Sequence, residues 1–315
     1  MTLAAFLELV EARTKLASIL PCAVGVLFAA AYFDQLNALN TGLFFVAMLL
    51  FDMTTTAINN LMDYQKAQSP TYRDQTNVIG RMQLAPATVR RLIVSMLTVA
   101  SLLGLVLVWR TQWLLLVLGG ACFVVGIFYT FGPLPLSRFP LGEVFSGVVM
   151  GLGIPVIAAF VNVSNGALIQ ARWAWPELVI AGNWNALLTL GLVCVTPMAT
   201  IANVMLANNL SDLAEDLANH RHTLPMYLGR RWSLWLYQGL AYVGYAALLL
   251  AVGFGLLGWP VLAAFGSLPW VIANTRRFVR RQDKRLTFHT AIKTLVAANG
   301  GLILGLALDW GWQVW

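Results

Sequence analysis

Two runs of this chain combine Asn and Asp at a spacing that a helix turns into a one-sided array of oxygens. In DMTTTAINNLMD at 52–63, Asp52, Thr56, Asn59 and Asp63 step by four, three and four; in NNLSDLAEDLAN at 208–219, Asn208, Asp212, Asp216 and Asn219 step by four, four and three. Residues three or four apart share one helical face, so each run predicts a stripe. No histidine or thiolate belongs to either stripe. Oxygen donors with one or two carboxylates per helix suit Mg²⁺, which keeps several waters and binds substrate phosphates. A lone Asp in such a place is ordinarily a solvated helix end. Two matching stripes, each followed by basic residues, point instead to a cation: carboxylates massed against apolar helices repel one another and are costly to desolvate. Lys66, Arg73 and Arg81 after the first run, and Arg221 with His222 after the second, supply anion donors. Metal together with Arg and Lys is how proteins hold a diphosphate.

The elements that carry these stripes follow from composition. Of 315 residues, 59% are hydrophobic and 10% charged. A soluble domain carries roughly a quarter of its residues charged, so most of this surface faces lipid. Nine apolar stretches predict spans at 14–33, 41–61, 92–109, 112–131, 142–163, 184–207, 234–256, 259–275 and 291–312. They are continuously apolar rather than alternating, which excludes a β-barrel. The reading is an all-α membrane protein, one domain over 1–315, with about nine helices around a central cavity and short cap helices, one of them starting at Pro86. Cys22, Cys122 and Cys194 all fall inside spans, as small buried residues rather than a disulfide or zinc frame. The apolar run at 14–33 is expected to be a retained span, since no small-residue cleavage site follows it.

The net charge of +7 does not imply a nucleic-acid partner. With nine spans, every one of the 20 Lys and Arg except Arg110 and Arg172 falls on a single face. The positive-inside rule makes that face cytoplasmic, with the N-terminus. The expectation is a multi-pass protein of the cell membrane, its partners being the bilayer and the substrates. Arg276, Arg277, Arg280, Arg281, Lys284 and Arg285 also suit anionic lipid.

The second run, continued as NNLSDLAEDLANHRHTLPMYLG at 208–229, resembles the second aspartate motif of the UbiA-type intramembrane prenyltransferases. Within that superfamily the chain is most similar to the 1,4-dihydroxy-2-naphthoate polyprenyltransferases of menaquinone synthesis. Asn59 to Asp63 matches the first motif, ARTKLAS at 12–18 resembles the start of span one, and YTFGPLPLSRFPLGE at 129–143 resembles the Y-T-x-G-P segment that ends in Gly-Glu. The chain departs from the pattern at Asn60, where an Asp is usual, and at 67–69, which lack an acid. That leaves either a single metal or a ligand moved to Asp74.

The resemblance implies transfer of a polyprenyl group from an allylic polyprenyl diphosphate to an aromatic acceptor. Mg²⁺ would be held by Asn59, Asp63, Asp212 and Asp216, with Asp63, Asp212, Asp216 and Arg138 catalytic. The diphosphate would meet Asn59, Asn208, Lys66, Arg73, Arg221 and Tyr129. Asp52, the only acid well inside a span, either orients the acceptor or is a structural carboxylate. Alternatives are an acceptor of 4-hydroxybenzoate or homogentisate type, and a polytopic transporter, whose charges would sit nearer the midplane. Donor chain length, acceptor and oligomeric state are not written in these motifs.

Overall fold

The computed structural model describes residues 1–67, 69–130, 139–218 and 222–314. A short helix, α1 (Leu3–Leu9), precedes α2 (Leu16–Phe33) and α3 (Ala38–Lys66). A small helix, α4 (Val78–Arg81), leads to α5 (Pro86–Arg110) and α6 (Leu114–Thr130). Next, α7 (Gly142–Val148) and α8 (Ile154–Asn162) form one span interrupted by a π-turn at Val149–Gly153. The rest comprises α9 (Trp184–Ser211), α10 (Leu213–Ala218), α11 (Leu224–Gly253), α12 (Leu268–Arg280) and α13 (Phe288–Val314).

Among the described residues, seven helical segments are long and apolar enough to cross a membrane: α2, α3, α5, the α7–α8 segment, α9, α11 and α13. The protein is a multi-pass helical membrane protein. All nine expected stretches lie mainly on helix, but two fall outside those seven segments. One is α6, at 17 residues; the other opens with nine residues of 3-10 helix, Trp259–Ser267, before α12. The cap helix expected at Pro86 is instead the first turn of α5. Pro fits there because the first helical amides have no partner within the helix. An antiparallel hairpin, β1 (Ile169–Ala174) and β2 (Glu177–Gly182), was not expected; it pairs its own backbone groups where the chain leaves α8.

Close helix approach depends on small residues. A Cβ on Gly25 of α2 would lie 2.3 Å from the Pro155 carbonyl oxygen of α8, and one on Gly151 would lie 2.4 Å from the Met198 backbone of α9. Polar groups then tie helices together. Asn203 Nδ2 donates to the Tyr237 carbonyl at 3.0 Å, and Asn299 Nδ2 donates to Thr200 Oγ1 at 2.9 Å. The C-terminal ends of α3 and α9, both packed on α2, reach the same end of the bundle. At the other end, Gln112 and Trp113 bond to the backbone of the hairpin, and Arg110 Nε donates to Asn40 Oδ1 at 2.7 Å.

Candidate active site

The first stripe stands as expected. Asp52, Thr56, Asn59 and Asp63 lie on the unbroken helix α3, all partly buried. Asn60, one position off that face, is structural: its Nδ2 donates to the Leu9 carbonyl at 3.0 Å, and its own carbonyl accepts from Asn77 Nδ2 at 3.0 Å. It binds α3 to α1 and to the start of α4.

The second stripe is not one straight face. Helix α9 ends at Ser211 and α10 restarts at Leu213, with Asp212 between them at φ −101°, ψ 10°. Backbone bonds continue across the bend, from Asp212 N to the Asn208 carbonyl at 3.0 Å and from Asp216 N to the Asp212 carbonyl at 2.8 Å. Asn, Ser and Asp cluster here, and their short side chains compete for backbone groups; Ser211 Oγ donates back to the Ala207 carbonyl at 2.8 Å, a bond that bends helices. Asn208 and Asp212 are both held by the Lys284 ammonium, which reaches over from the loop before α13. Asp216 is 4% exposed and accepts from Thr223 Oγ1 at 3.3 Å. Asn219 lies outside the described residues.

Glu143, at the start of α7, joins this second group. Asn209 Nδ2 donates to Glu143 Oε1 at 2.8 Å, and the Asp216 carboxylate is near enough for its charge to act on Glu143. Glu143 is 3% exposed, and its Oε2 has no hydrogen-bond partner. Tyr129, whose hydroxyl is 3.4 Å from the Gly142 carbonyl, stands beside it.

Asp52 is committed to an ion pair deeper in the bundle. Lys15 Nζ lies 2.7 Å from Asp52 Oδ1 and donates to Thr56 Oγ1 at 2.7 Å, while Ser18 Oγ donates to Asp52 Oδ2. Ser18, Asp52, Thr55 and Tyr129 are polar residues on the wall of a cavity of about 380 Å³. The rest of the wall is mainly apolar and comes from α3, α5, α6 and the α7–α8 segment, with Phe51 stacked on Phe123 at 3.9 Å.

Among the loop residues, Lys66 is exposed, and Arg73 Nε pairs with Asp74 Oδ1 at 2.9 Å. The hydrogen bond from Arg73 holds the Asp74 carboxyl below its ordinary range. Arg138 and Arg221 lie outside the described residues. Three side chains at the site escaped the sequence reading of its chemistry: Lys15, Glu143 and Lys284. Lys15 and Glu143 do fall inside the stretches ARTKLAS and YTFGPLPLSRFPLGE, which was the available signal.

The donor chemistry fits a hard divalent cation. Side-chain donors at both stripes are oxygens, and the buried Glu143 Oε2 has an unused lone-pair face. Among the described residues no three acidic, His or Cys side chains converge on one point. An ion bound here therefore relies on water and substrate oxygens as well, as Mg²⁺ does.

Comparison with known proteins agrees with this fold. A relative from Bacillus subtilis (strain 168), 1,4-dihydroxy-2-naphthoate octaprenyltransferase, is 24% identical over 309 residues, covering 96% of this chain and 91% of the relative. An enzyme of the same name from Mycobacterium leprae (strain TN) is 29% identical over 167 residues, covering 52% of this chain and 49% of its own. Among solved structures, the apo UbiA homolog of Aeropyrum pernix K1 superposes with a TM-score of 0.68 at 15% identity, over 92% of this chain and 97% of that one. A UbiA homolog of Archaeoglobus fulgidus bound to DMAPP and Mg²⁺ gives a TM-score of 0.61 at 10% identity, over 94% and 98%. The sequence profile of the UbiA prenyltransferase family matches residues 18–297, and the chain belongs to that family.

Proposed function

We propose that the protein transfers a polyprenyl group from an allylic polyprenyl diphosphate to 1,4-dihydroxy-2-naphthoate, releasing diphosphate and CO₂ and giving a demethylmenaquinol. The observation that carries this reading is one cavity that joins apolar walls to polar chemistry. It runs between α3, α5, α6 and the α7–α8 segment, and two of those segments continue to oxygen-rich ends at Asn59–Asp63 and Glu143. An amphiphilic donor needs that combination, with its tail among apolar side chains and its head at the acidic end. The full-length relative from Bacillus subtilis supports the naphthoate as acceptor.

Asn59, Asp63, Asp212 and Asp216 are the residues that would hold Mg²⁺. The ion, when bound, supplies charge compensation to the departing diphosphate. The chain does the rest. Lys66, Arg73, Arg138 and Arg221 share the diphosphate's negative charge, and Asn59, Asn208 and Tyr129 orient it through hydrogen bonds. As the allylic C–O bond breaks, its electron pair leaves with the diphosphate. The naphthoate carbon that bears the carboxylate gives its π electrons to the allylic carbon. Loss of CO₂ returns the C–C pair to the ring and restores aromaticity, so no protein nucleophile is required. The apolar cavity wall keeps water from the allylic centre. The positive charge of the loops supports an acidic end on the cytoplasmic side of the cell membrane.

The test is turnover by purified protein in nanodiscs with Mg²⁺. Donors of several chain lengths are offered with the naphthoate, 4-hydroxybenzoate or homogentisate, and products are identified by mass. Prenylated, decarboxylated naphthol is expected. A prenylated 4-hydroxybenzoate or homogentisate in its place reassigns the acceptor; no diphosphate release with any acceptor removes the transferase reading.

A further inference from the structure

We infer that Glu143 is a carboxylate ligand of the divalent cation, placed on the inner side of the second acidic stripe and held there by Asn209. This rests on the reading above that the stripe binds such an ion. Glu143 is 3% exposed, and Asn209 Nδ2 donates to its Oε1 at 2.8 Å. Its second oxygen, Oε2, is buried and has no hydrogen-bond partner. An ionised carboxylate so placed is heavily desolvated with half of its acceptor capacity unused. That leaves a buried polar atom unsatisfied in the protein alone, and buried polar atoms are seldom left so.

The surroundings say what completes it. Asp216, 4% exposed, bears its charge on Glu143 from nearby, and two buried carboxylates are stabilised together by a cation. Asn209 fixes the carboxylate through one oxygen and leaves the other for the ion, the usual division between a ligand and its orienting partner. Asn209 itself lies in the second acidic run, so the Asn208–Asn209 pair divides its tasks: Asn208 faces Lys284 and Asp212, and Asn209 faces Glu143. Glu143 lies on a different span from either stripe, which makes the cation a link between α7 and the bend between α9 and α10.

The experiment is Mn²⁺ binding followed by electron paramagnetic resonance on the full chain in nanodiscs, with and without inorganic pyrophosphate. Wild type, E143Q, E143D and D216A are compared. The Gln variant keeps the acceptor for Asn209 and removes only the charged oxygen, so it is expected to fold as wild type and to bind Mn²⁺ at least about tenfold more weakly. E143D, which keeps the charge, is expected to fall between the two. Mn²⁺ affinity retained in E143Q but lost in D216A overturns the assignment of Glu143 and leaves the proposed reaction standing. If wild type binds no Mn²⁺ even with pyrophosphate, both are overturned. Should E143Q melt far below wild type, E143D decides: wild-type Mn²⁺ affinity in a folded E143D overturns the assignment, and a weakened affinity upholds it.

Discussion

Lys15 and Asp52 form a largely buried ion pair across 37 residues of sequence, with 2.7 Å between Nζ and Oδ1, at the wall of the apolar cavity. Lys15 is 4% exposed and spends its remaining donors on Thr56 Oγ1 and the Asp52 carbonyl. The pair is therefore fully engaged at the start of α2.

Breaking this pair is expected to be costly. K15M or D52N leaves the partner buried without its counter-charge, a loss on the order of 3–5 kcal/mol, whereas the double variant K15M/D52L loses less than either single change. Thermal unfolding in detergent checks the order. Metal dependence of the surviving D52N protein should match wild type, since Asp52 sits about 10 and 17 Å along the helix axis from Asn59 and Asp63.

The stripes carry the second prediction. D63A, D212A and D216A are each expected to lose at least ~100-fold in turnover while still inserting into the membrane. Chelation of divalent cations should abolish turnover and Mg²⁺ should restore it. Near-normal rates in any two of the three variants would show that the metal site lies elsewhere.

Lys284 yields a third. Its ammonium occupies the oxygens of Asn208 and Asp212 and lies 4.9 Å from the Phe288 ring centre. Any cation that takes Asp212 displaces it. Partly exposed ion pairs contribute up to about 1 kcal/mol, so K284Q should bind Mn²⁺ about two- to fivefold more tightly in the absence of donor. R285Q removes the same charge one residue along and should leave the affinity unchanged; equal effects in both would reduce Lys284 to a general field.

The loop that presents Lys284 has its own pH dependence. Asp283 accepts from the amides of Leu286 and Arg285 and from Arg281, and these bonds, led by Leu286, hold its pKa below the ordinary 3.8. A carboxyl with a lowered folded pKa stabilises at every pH above its unfolded value and loses that contribution as pH falls through the folded one. Hydrogen exchange at Arg285 and Leu286, corrected for intrinsic rates, should thus show constant protection from neutrality down to about 3.8 and declining protection below it.

Much of this was legible along the chain because lipid writes a simple rule into a sequence. Long apolar runs have few alternatives to helix in a bilayer, so the nine stretches fell on helices, and the stripe on α3 followed from its periodicity alone. What the sequence did not reveal were relations across distance. Lys15 reaches Asp52 over 37 residues, Asn209 reaches Glu143 over 66, and Lys284 reaches Asp212 over 72. Periodicity reports only what lies on the same helix. The bend at Asp212 was hidden for another reason: it depends on Ser211 returning a bond to Ala207, a local competition that counting by threes and fours does not register.

Helix α6 gives the membrane itself a part. Its 17 described residues span about 26 Å, against a hydrocarbon core of about 30 Å, while its neighbours α3 and α5 run to 29 and 25 residues. Leu116, Gly119, Gly120 and Phe123 of α6 form part of the cavity wall. The bilayer has to pinch by a few ångströms along that flank, at fractions of a kcal/mol per Å. Hydrophobic mismatch is thereby concentrated beside the substrate's apolar chamber, and acyl-chain length in the surrounding lipid becomes a mechanical variable of the protein.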